Sequence, residues 1–308
     1  DTGSLDVSGD IDVDGTTNLD VVDIDGAVDM ASTLTVAGNV SIDGGTIKLD
    51  GNYPTGDNNV VLGNTAFDSV TSASNNTIMG NAAGTAITES NFNTAIGSSA
   101  LAAQVTGGRN IALGYGSLTA DTTGGRTTAV GFGSLGAQNF TGGDITGNTA
   151  VGYQSLGANT TGVNNTAIGY ASLDANTTGN SNAAFGYSSL GSNTDGLRNT
   201  AMGAESLAAN TTGDDNVAIG EDALAANTTA SNNTAVGNDA LKSNTTGDVN
   251  VAVGSLSLDA NSTGSNNVAV GVHSLGNNTT ADGNTAFGHS AMIANTTGAN
   301  NVAIGQLA

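Results

Sequence analysis

The sequence contains no cysteine and no tryptophan, one proline, and only five lysines and arginines against 27 aspartates and glutamates. Without cysteine, disulfides and thiolate metal sites are excluded. The net charge of −22 excludes binding to nucleic acid or to an anionic membrane surface, because lysine and arginine hold both kinds of partner. No apolar run is long enough to cross a bilayer, so membrane insertion is not expected.

Glycine is abundant instead, with 46 of 308 residues, and most of it is periodic. A glycine that closes an Asn-x-Ala-x-Gly type of block, here called the marker glycine, returns after 17 residues in thirteen of fourteen intervals. The exception is the interval from Gly131 to Gly152, which is 21 residues long and carries a four-residue insertion within 139–147. Such self-similarity is the signature of a repeat architecture. The marker glycines are Gly63, Gly80, Gly97, Gly114, Gly131, Gly152, Gly169, Gly186, Gly203, Gly220, Gly237, Gly254, Gly271, Gly288 and Gly305.

Each repeat has the same order of residue types. A β-branched residue, usually alanine and a large apolar residue precede the marker glycine, and leucine follows four positions later in most repeats. A polar block such as Asn176-Thr-Thr-Gly179 completes the repeat with turn-forming residues. The pattern predicts an all-β protein, a parallel β-solenoid or β-roll with 17-residue coils over residues 53–308. Each coil is expected to hold two short strands and two turns, and fifteen stacked coils would measure about 70 Å.

The strand before the marker glycine has no polar face. In Asn165–Gly169, alternation places Thr166 and Ile168 on one side and Ala167 and Gly169 on the other. We expect the large residues and the leucines to fill the coil, and the alanine and glycine surface to contact other chains. This arrangement predicts a homo-oligomer, most simply a homotrimer. The alternative is that the alanine face forms the narrow inside of a monomeric solenoid.

Residues 1–52 differ from the repeats and are predicted to form a short Asp/Gly-rich shaft segment of β-strands. Asp10, Asp12 and Asp14 precede Gly15 as in the beginning of a calcium loop, which makes weak calcium binding an alternative. The twelfth position of that loop is Val21 instead of glutamate, so an acidic strand face in solvent is the preferred interpretation. No cofactor is expected elsewhere.

One column of the repeat stands out chemically. The residue directly after the marker glycine is aromatic in five consecutive coils and in no other repeat, at Tyr115, Phe132, Tyr153, Tyr170 and Tyr187. A column of a parallel solenoid becomes a row on its surface, so these residues predict an aromatic ladder. The ladder either stabilises neighbouring coils by stacking or forms a platform for sugar rings or another apolar partner. Phe140, in the insertion, is added to this candidate platform.

Catalytic patterns are missing. His273 and His289 are the two histidines, and they occupy different columns of adjacent repeats. The sequence has no nucleophile elbow and no phosphate-binding glycine loop before a helix. The protein is therefore not expected to be an enzyme.

The blocks Asn-Thr-Ala-Ile-Gly and Asn-Val-Ala-Val-Gly resemble the head repeats of trimeric autotransporter adhesins, which are left-handed parallel β-rolls. The longer block Gly152-Tyr-Gln-Ser-Leu-Gly-Ala-Asn-Thr-Thr-Gly162, with the upstream Leu-Asp-Val segments, is more similar to tail-fibre proteins of marine bacteriophages. That resemblance implies a homotrimeric fibre on a virion that attaches to a glycan or protein of the host surface. A bacterial adhesin or extracellular filament, and a passive structural spacer, are the alternatives.

The two ends of the sequence also bear on this expectation. The chain begins at Asp1 without methionine and stops at Ala308, three residues after a marker glycine. We therefore expect it to be a segment of a longer protein.

Overall fold

The computed structural model describes residues 58–140 and 145–308. All of them belong to one compact unit, Leu49–Ala308. The predicted shaft segment, residues 1–52, lies outside the described residues, and so do the possible calcium ligands Asp10, Asp12 and Asp14.

The described residues form fifteen β-strands of three residues each and no helix. The strands pair in parallel and in chain order, so that each strand hydrogen-bonds to the next one along the sequence within a single sheet. The strands are β1 (Val60–Leu62), β2 (Thr77–Met79), β3 (Thr94–Ile96), β4 (Ile111–Leu113), β5 (Thr128–Val130), β6 (Thr149–Val151), β7 (Thr166–Ile168), β8 (Ala183–Phe185), β9 (Thr200–Met202), β10 (Val217–Ile219), β11 (Thr234–Val236), β12 (Val251–Val253), β13 (Val268–Val270), β14 (Thr285–Phe287) and β15 (Val302–Ile304).

The register of the sheet follows the repeat. Equivalent residues of neighbouring coils are paired, as in Ala167 with Ala184 and Ile168 with Phe185. Because coils stack in register, every column of the repeat becomes a row along the solenoid. The prediction of a parallel β-solenoid with 17-residue coils is confirmed.

The prediction of two strands per coil is wrong, since each described coil contains one. The leucine four positions after the marker glycine adopts a left-handed backbone, with φ between 50° and 54° in the eleven coils from Leu101 to Leu275. These left-handed turns still bond from coil to coil, as the Leu118 N–H donates to the Ser134 carbonyl at 3.0 Å. A left-handed residue cannot continue a β-ladder, so the second side of the coil is a stack of turns.

The alanines lie inside the coil, contrary to our expectation. Ala167 and the equivalent alanines from Ala95 to Ala286 are fully buried and face the buried leucine row, whereas Ile168 is 39% exposed on the outer side of the sheet. The coil is narrow, and the leucines reach across it from the turn side, so only a methyl group fits on the strand side. The alternative interpretation of the alanine face, as the narrow inside of the coil, is the one observed.

Two buried rows of asparagine complete the interior. In the strand row, Asn182 donates its backbone N–H to Oδ1 of Asn165 at 2.9 Å, while Nδ2 of Asn165 donates to the Gly179 carbonyl at 2.8 Å. In the turn row, Nδ2 of Asn193 donates to Oδ1 of Asn176 at 2.9 Å. No buried side-chain nitrogen or oxygen of the described residues lacks a partner. Because each amide must meet its counterpart in the next coil, these rows fix the stacking register.

Candidate functional site

The aromatic ladder, defined as Tyr115, Phe132, Tyr153, Tyr170 and Tyr187, is built by the backbone around the marker glycines. From Phe132 onward, the residue after each ladder position donates its N–H to the carbonyl of the ladder residue in the preceding coil. Gln154 donates to Phe132 at 2.9 Å, and Ala171 donates to Tyr153 at 2.9 Å. These bonds hold successive Cα atoms one coil apart, so the side chains emerge as one row.

The rings of this row stack on one another. Neighbouring centroids are 5.2, 5.3, 5.1 and 5.5 Å apart, and the angles between ring planes are 15°, 10°, 7° and 13°. Each pair of this kind stabilises the fold by about 0.5–1.5 kcal/mol beyond the area it buries. The predicted row is confirmed as a continuous stack over five coils.

The insertion does not interrupt this stack. Phe132 and Tyr153 are separated by 21 residues instead of 17, yet their ring centroids are 5.3 Å apart. The regular register is present on both sides of the insertion. Ile145 forms a parallel β-bridge with Gly125, and the Thr128 N–H donates to the Asn148 carbonyl at 2.9 Å. The stacking register is therefore the same before and after the insertion.

Stacking changes what the ladder offers to a ligand. The faces of the three inner rings, Phe132, Tyr153 and Tyr170, are occupied by neighbouring rings on both sides. The exposed fractions of these three residues, 42–51%, therefore belong mostly to ring edges. A sugar ring could lie flat only at the two ends, so the ladder works as a wall with exposed edges.

Phe140 is not part of this wall. It occupies a different column, and no ring contact joins it to another aromatic residue in the described ranges. Its backbone is held on the turn side, where its N–H donates to Oδ1 of Asp121 at 3.1 Å and its carbonyl accepts from Thr123 Oγ1 at 2.6 Å. The two parts of the candidate platform are thus at separate places on the coil.

A second aromatic contact lies outside the ladder. The Arg109 guanidinium sits over the Phe92 ring, 5.5 Å from its centroid. Both residues border a shallow depression of about 190 Å³ that also includes Glu89 and Gly108. Sequence analysis did not single out this pair, since the two residues share a column with many polar ones.

Two partly buried carboxylates occupy equivalent positions, one position after the leucine. Burial raises the pKa of Asp174 and of Asp259 above the ordinary carboxyl value, opposed in part by hydrogen bonds from backbone N–H groups. Asp174 lies in the ladder coil that carries Tyr170, and Asp259 lies five coils further along the chain.

His289 is exposed and His273 partly exposed. Residues 58–140 and 145–308 contain no group of three or more histidine, aspartate or glutamate side chains placed to hold a metal ion. They also contain no helix able to span a membrane.

The ladder leads to a stability prediction. We expect Tyr153→Ala with Tyr170→Ala to destabilise the solenoid by about 2–4 kcal/mol, because three stacked pairs are lost. Urea unfolding followed by circular dichroism measures this change. The control is Tyr153→Phe with Tyr170→Phe, which keeps the rings and reproduces the residue found at Phe132. An alanine variant as stable as the phenylalanine variant would show that the stack contributes nothing.

The chain was also compared with known proteins. No protein-family model, no curated protein and no solved structure matches it.

Proposed function

We propose that this chain is a structural and adhesive segment of a fibre, in which three copies associate side by side to form a rod that attaches a virion to its host. The proposal combines the solenoid with the resemblance to phage tail-fibre repeats. The repeats of the solenoid serve as a scaffold and a binding surface, and no residue is assigned a catalytic role. The observation that carries it is the outer face of the sheet.

The outer face consists of the first and third residues of every strand. None of the fifteen described strands carries a charged residue there, and the third residue is always large and apolar. Ile96, Met202 and Phe287 are between 39% and 46% exposed. A soluble surface normally scatters such residues, and a long continuous band of them indicates an interaction site.

The charge distribution supports self-association through this band. The acids of the described coils lie on the turn columns, for example Asp195, Asp214 and Glu221. Because each chain has a net charge of −22, two copies repel one another through their acidic turns. The repulsion is weakest where their uncharged outer faces meet. Cyclic symmetry about an axis parallel to the solenoids, on the side of their outer faces, keeps identical bands parallel and in register, and closes the assembly without leaving a free band.

The association surface therefore differs from the one expected at first. The alanine row cannot contact another chain, because it is fully buried inside the coil. The threonine, valine and isoleucine rows take its place as the proposed contact between copies.

The oligomer is tested by its solution mass. We expect wild type to sediment as a trimer, and Ile168→Asp with Ile219→Asp to sediment as a folded monomer, since each carboxylate would be buried against an apolar partner. The matched control is Thr178→Asp with Thr212→Asp, two exposed turn positions whose column naturally carries Asp195. A monomeric wild type, or a trimer unaffected by the isoleucine changes, would contradict the proposal.

The biological setting is tested by the complete gene and its surroundings. Neighbouring baseplate or tail genes would support the fibre on a virion. A downstream coiled-coil stalk with a membrane-anchor barrel would instead make the chain part of a bacterial adhesin and overturn the virion assignment.

A further inference from the structure

A shallow groove of about 290 Å³ lies in the same coils as the aromatic ladder. It is lined by Gly133, Gln154, Gly157, Ala158 and Asp174. Gly133 and Gln154 directly follow Phe132 and Tyr153, so the groove begins where the ladder emerges from the backbone. Its lining comes from three consecutive coils.

The groove exists because two columns lose their side chains there. The column after the ladder carries glycine at Gly116 and Gly133, and the column of Asp174 carries glycine at Gly136, Gly157 and Gly191. A Cβ atom at Gly116 would meet no heavy atom within 4 Å, and one at Gly133 would approach only the Gln154 side chain, at 3.6 Å. In the first of these columns, space for a side chain is therefore present and left empty, which leaves backbone exposed beside the ladder.

Asp174 supplies an acceptor at this floor. No ion pair in the described part of the chain includes its carboxylate. The Asp174 carboxylate extends toward the next coil. Its Oδ1 would lie 3.4 Å from a Cβ atom placed on Gly191. The carboxylate is thus partly buried, without a cation, and able to accept further hydrogen bonds.

We propose that this groove binds a neutral oligosaccharide that runs along the solenoid beside the aromatic ladder. Sugar hydroxyls would donate to Asp174 and exchange hydrogen bonds with the Gln154 amide, while the C–H faces of the sugars pack on glycine and alanine. Sites of this kind combine apolar surface with a few placed polar groups. The inference deepens the proposed adhesive role and rests on it, by naming the chemical class of the surface that is bound.

Two observations favour this ligand class. The rings of the ladder beside the groove are 5.1–5.5 Å apart, which is close to the length of one pyranose unit in an extended chain, so successive sugars would meet successive rings. The net charge of −22 and the lone carboxylate repel uronate, sialate and phosphate groups, so the saccharide is neutral.

The test uses the full chain on an array of neutral hexasaccharides: cellohexaose, maltohexaose, mannohexaose and N-acetylchitohexaose, with an oligogalacturonate as the anionic comparison. We expect at least one neutral probe to bind wild type and the anionic one not to bind. Asp174→Asn should weaken that binding at least tenfold. Asp259→Asn is the matched control, because that carboxylate has the same column and similar burial but lies outside the ladder coils.

A second variant protects the test against misfolding. Gly133→Gln places in the groove the residue that the same column carries at Gln154, where φ is already 52°. We expect it to keep the circular dichroism spectrum and solution mass of wild type and to lose hexasaccharide binding. The inference is overturned if no neutral probe binds, if Asp174→Asn binds like wild type, or if Asp259→Asn weakens binding equally. Because the groove lies within one chain, such a failure leaves the solution mass, and with it the fibre, unaffected.

Discussion

Gly114→Ala should unfold the solenoid around its coil, with a loss of stability of several kcal/mol. The Gly114 backbone has φ +132°, a conformation that residues with a side chain rarely adopt, and a Cβ atom there would lie 2.5 Å from the Gly131 carbonyl oxygen. The obstacle is backbone of the next coil, so it cannot move without breaking the stack. Chemical denaturation followed by circular dichroism measures the loss.

Gly116→Ala in the same coil is the control for this prediction. Gly116 also has a positive φ, +62°, but a Cβ atom there meets nothing within 4 Å, and its column carries alanine at Ala82 and Ala171. The left-handed conformation alone costs about 1–2 kcal/mol. If both variants lose the same stability, contact between the stacked backbones is not the reason that glycine is needed at position 114.

Asn233→Asp should destabilise the protein strongly at neutral pH and weakly in acid. Asn233 is fully buried. Its Nδ2 donates to the Gly247 carbonyl at 2.9 Å, and its Oδ1 accepts the Asn250 N–H at 2.9 Å. A carboxylate would turn an acceptor toward the carbonyl and leave a buried charge without a cation, which costs about 3–5 kcal/mol.

The pH dependence follows from the direction of the pKa change. Burial without a cation raises the pKa of the introduced carboxyl in the folded state above the unfolded value of about 3.9. Below that value the carboxyl is protonated in both states and can donate to Gly247 as the amide did. The deficit relative to wild type therefore grows as the pH rises from about 4 toward the raised pKa of the folded state, and is complete above it.

The matched control makes the same change on the surface. Asn180 accepts the Val163 N–H at 2.7 Å through Oδ1, and its column carries Asp214, Asp248 and Asp282 with equivalent bonds of 2.7 Å. We expect Asn180→Asp to leave stability unchanged at both pH values. If Asn233→Asp shows the same deficit in acid as at neutral pH, a loss of shape rather than a buried charge would explain it.

The candidate site was predictable in part. The aromatic column could be read directly, because in-register stacking turns identical positions into a row, and Tyr153 and Tyr170 stack as expected. The groove was missed, although its signal was present as the glycines Gly136 and Gly157 in a column that elsewhere carries side chains. A missing side chain indicates a groove only when the surrounding surface is known.

The sequence by itself determined the period, the parallel register and the residues that share a row, since all three follow from a 17-residue repeat stacked on itself. Tertiary structure decided which side of the strand is the inside. Both sides of Thr166–Ile168 are apolar, so alternation alone does not choose between them. The choice depends on what lies across the coil, where the left-handed Leu173 fills a space that leaves room only for Ala167. The same packing turns Ile168 outward and makes the uncharged band on which the proposed fibre depends.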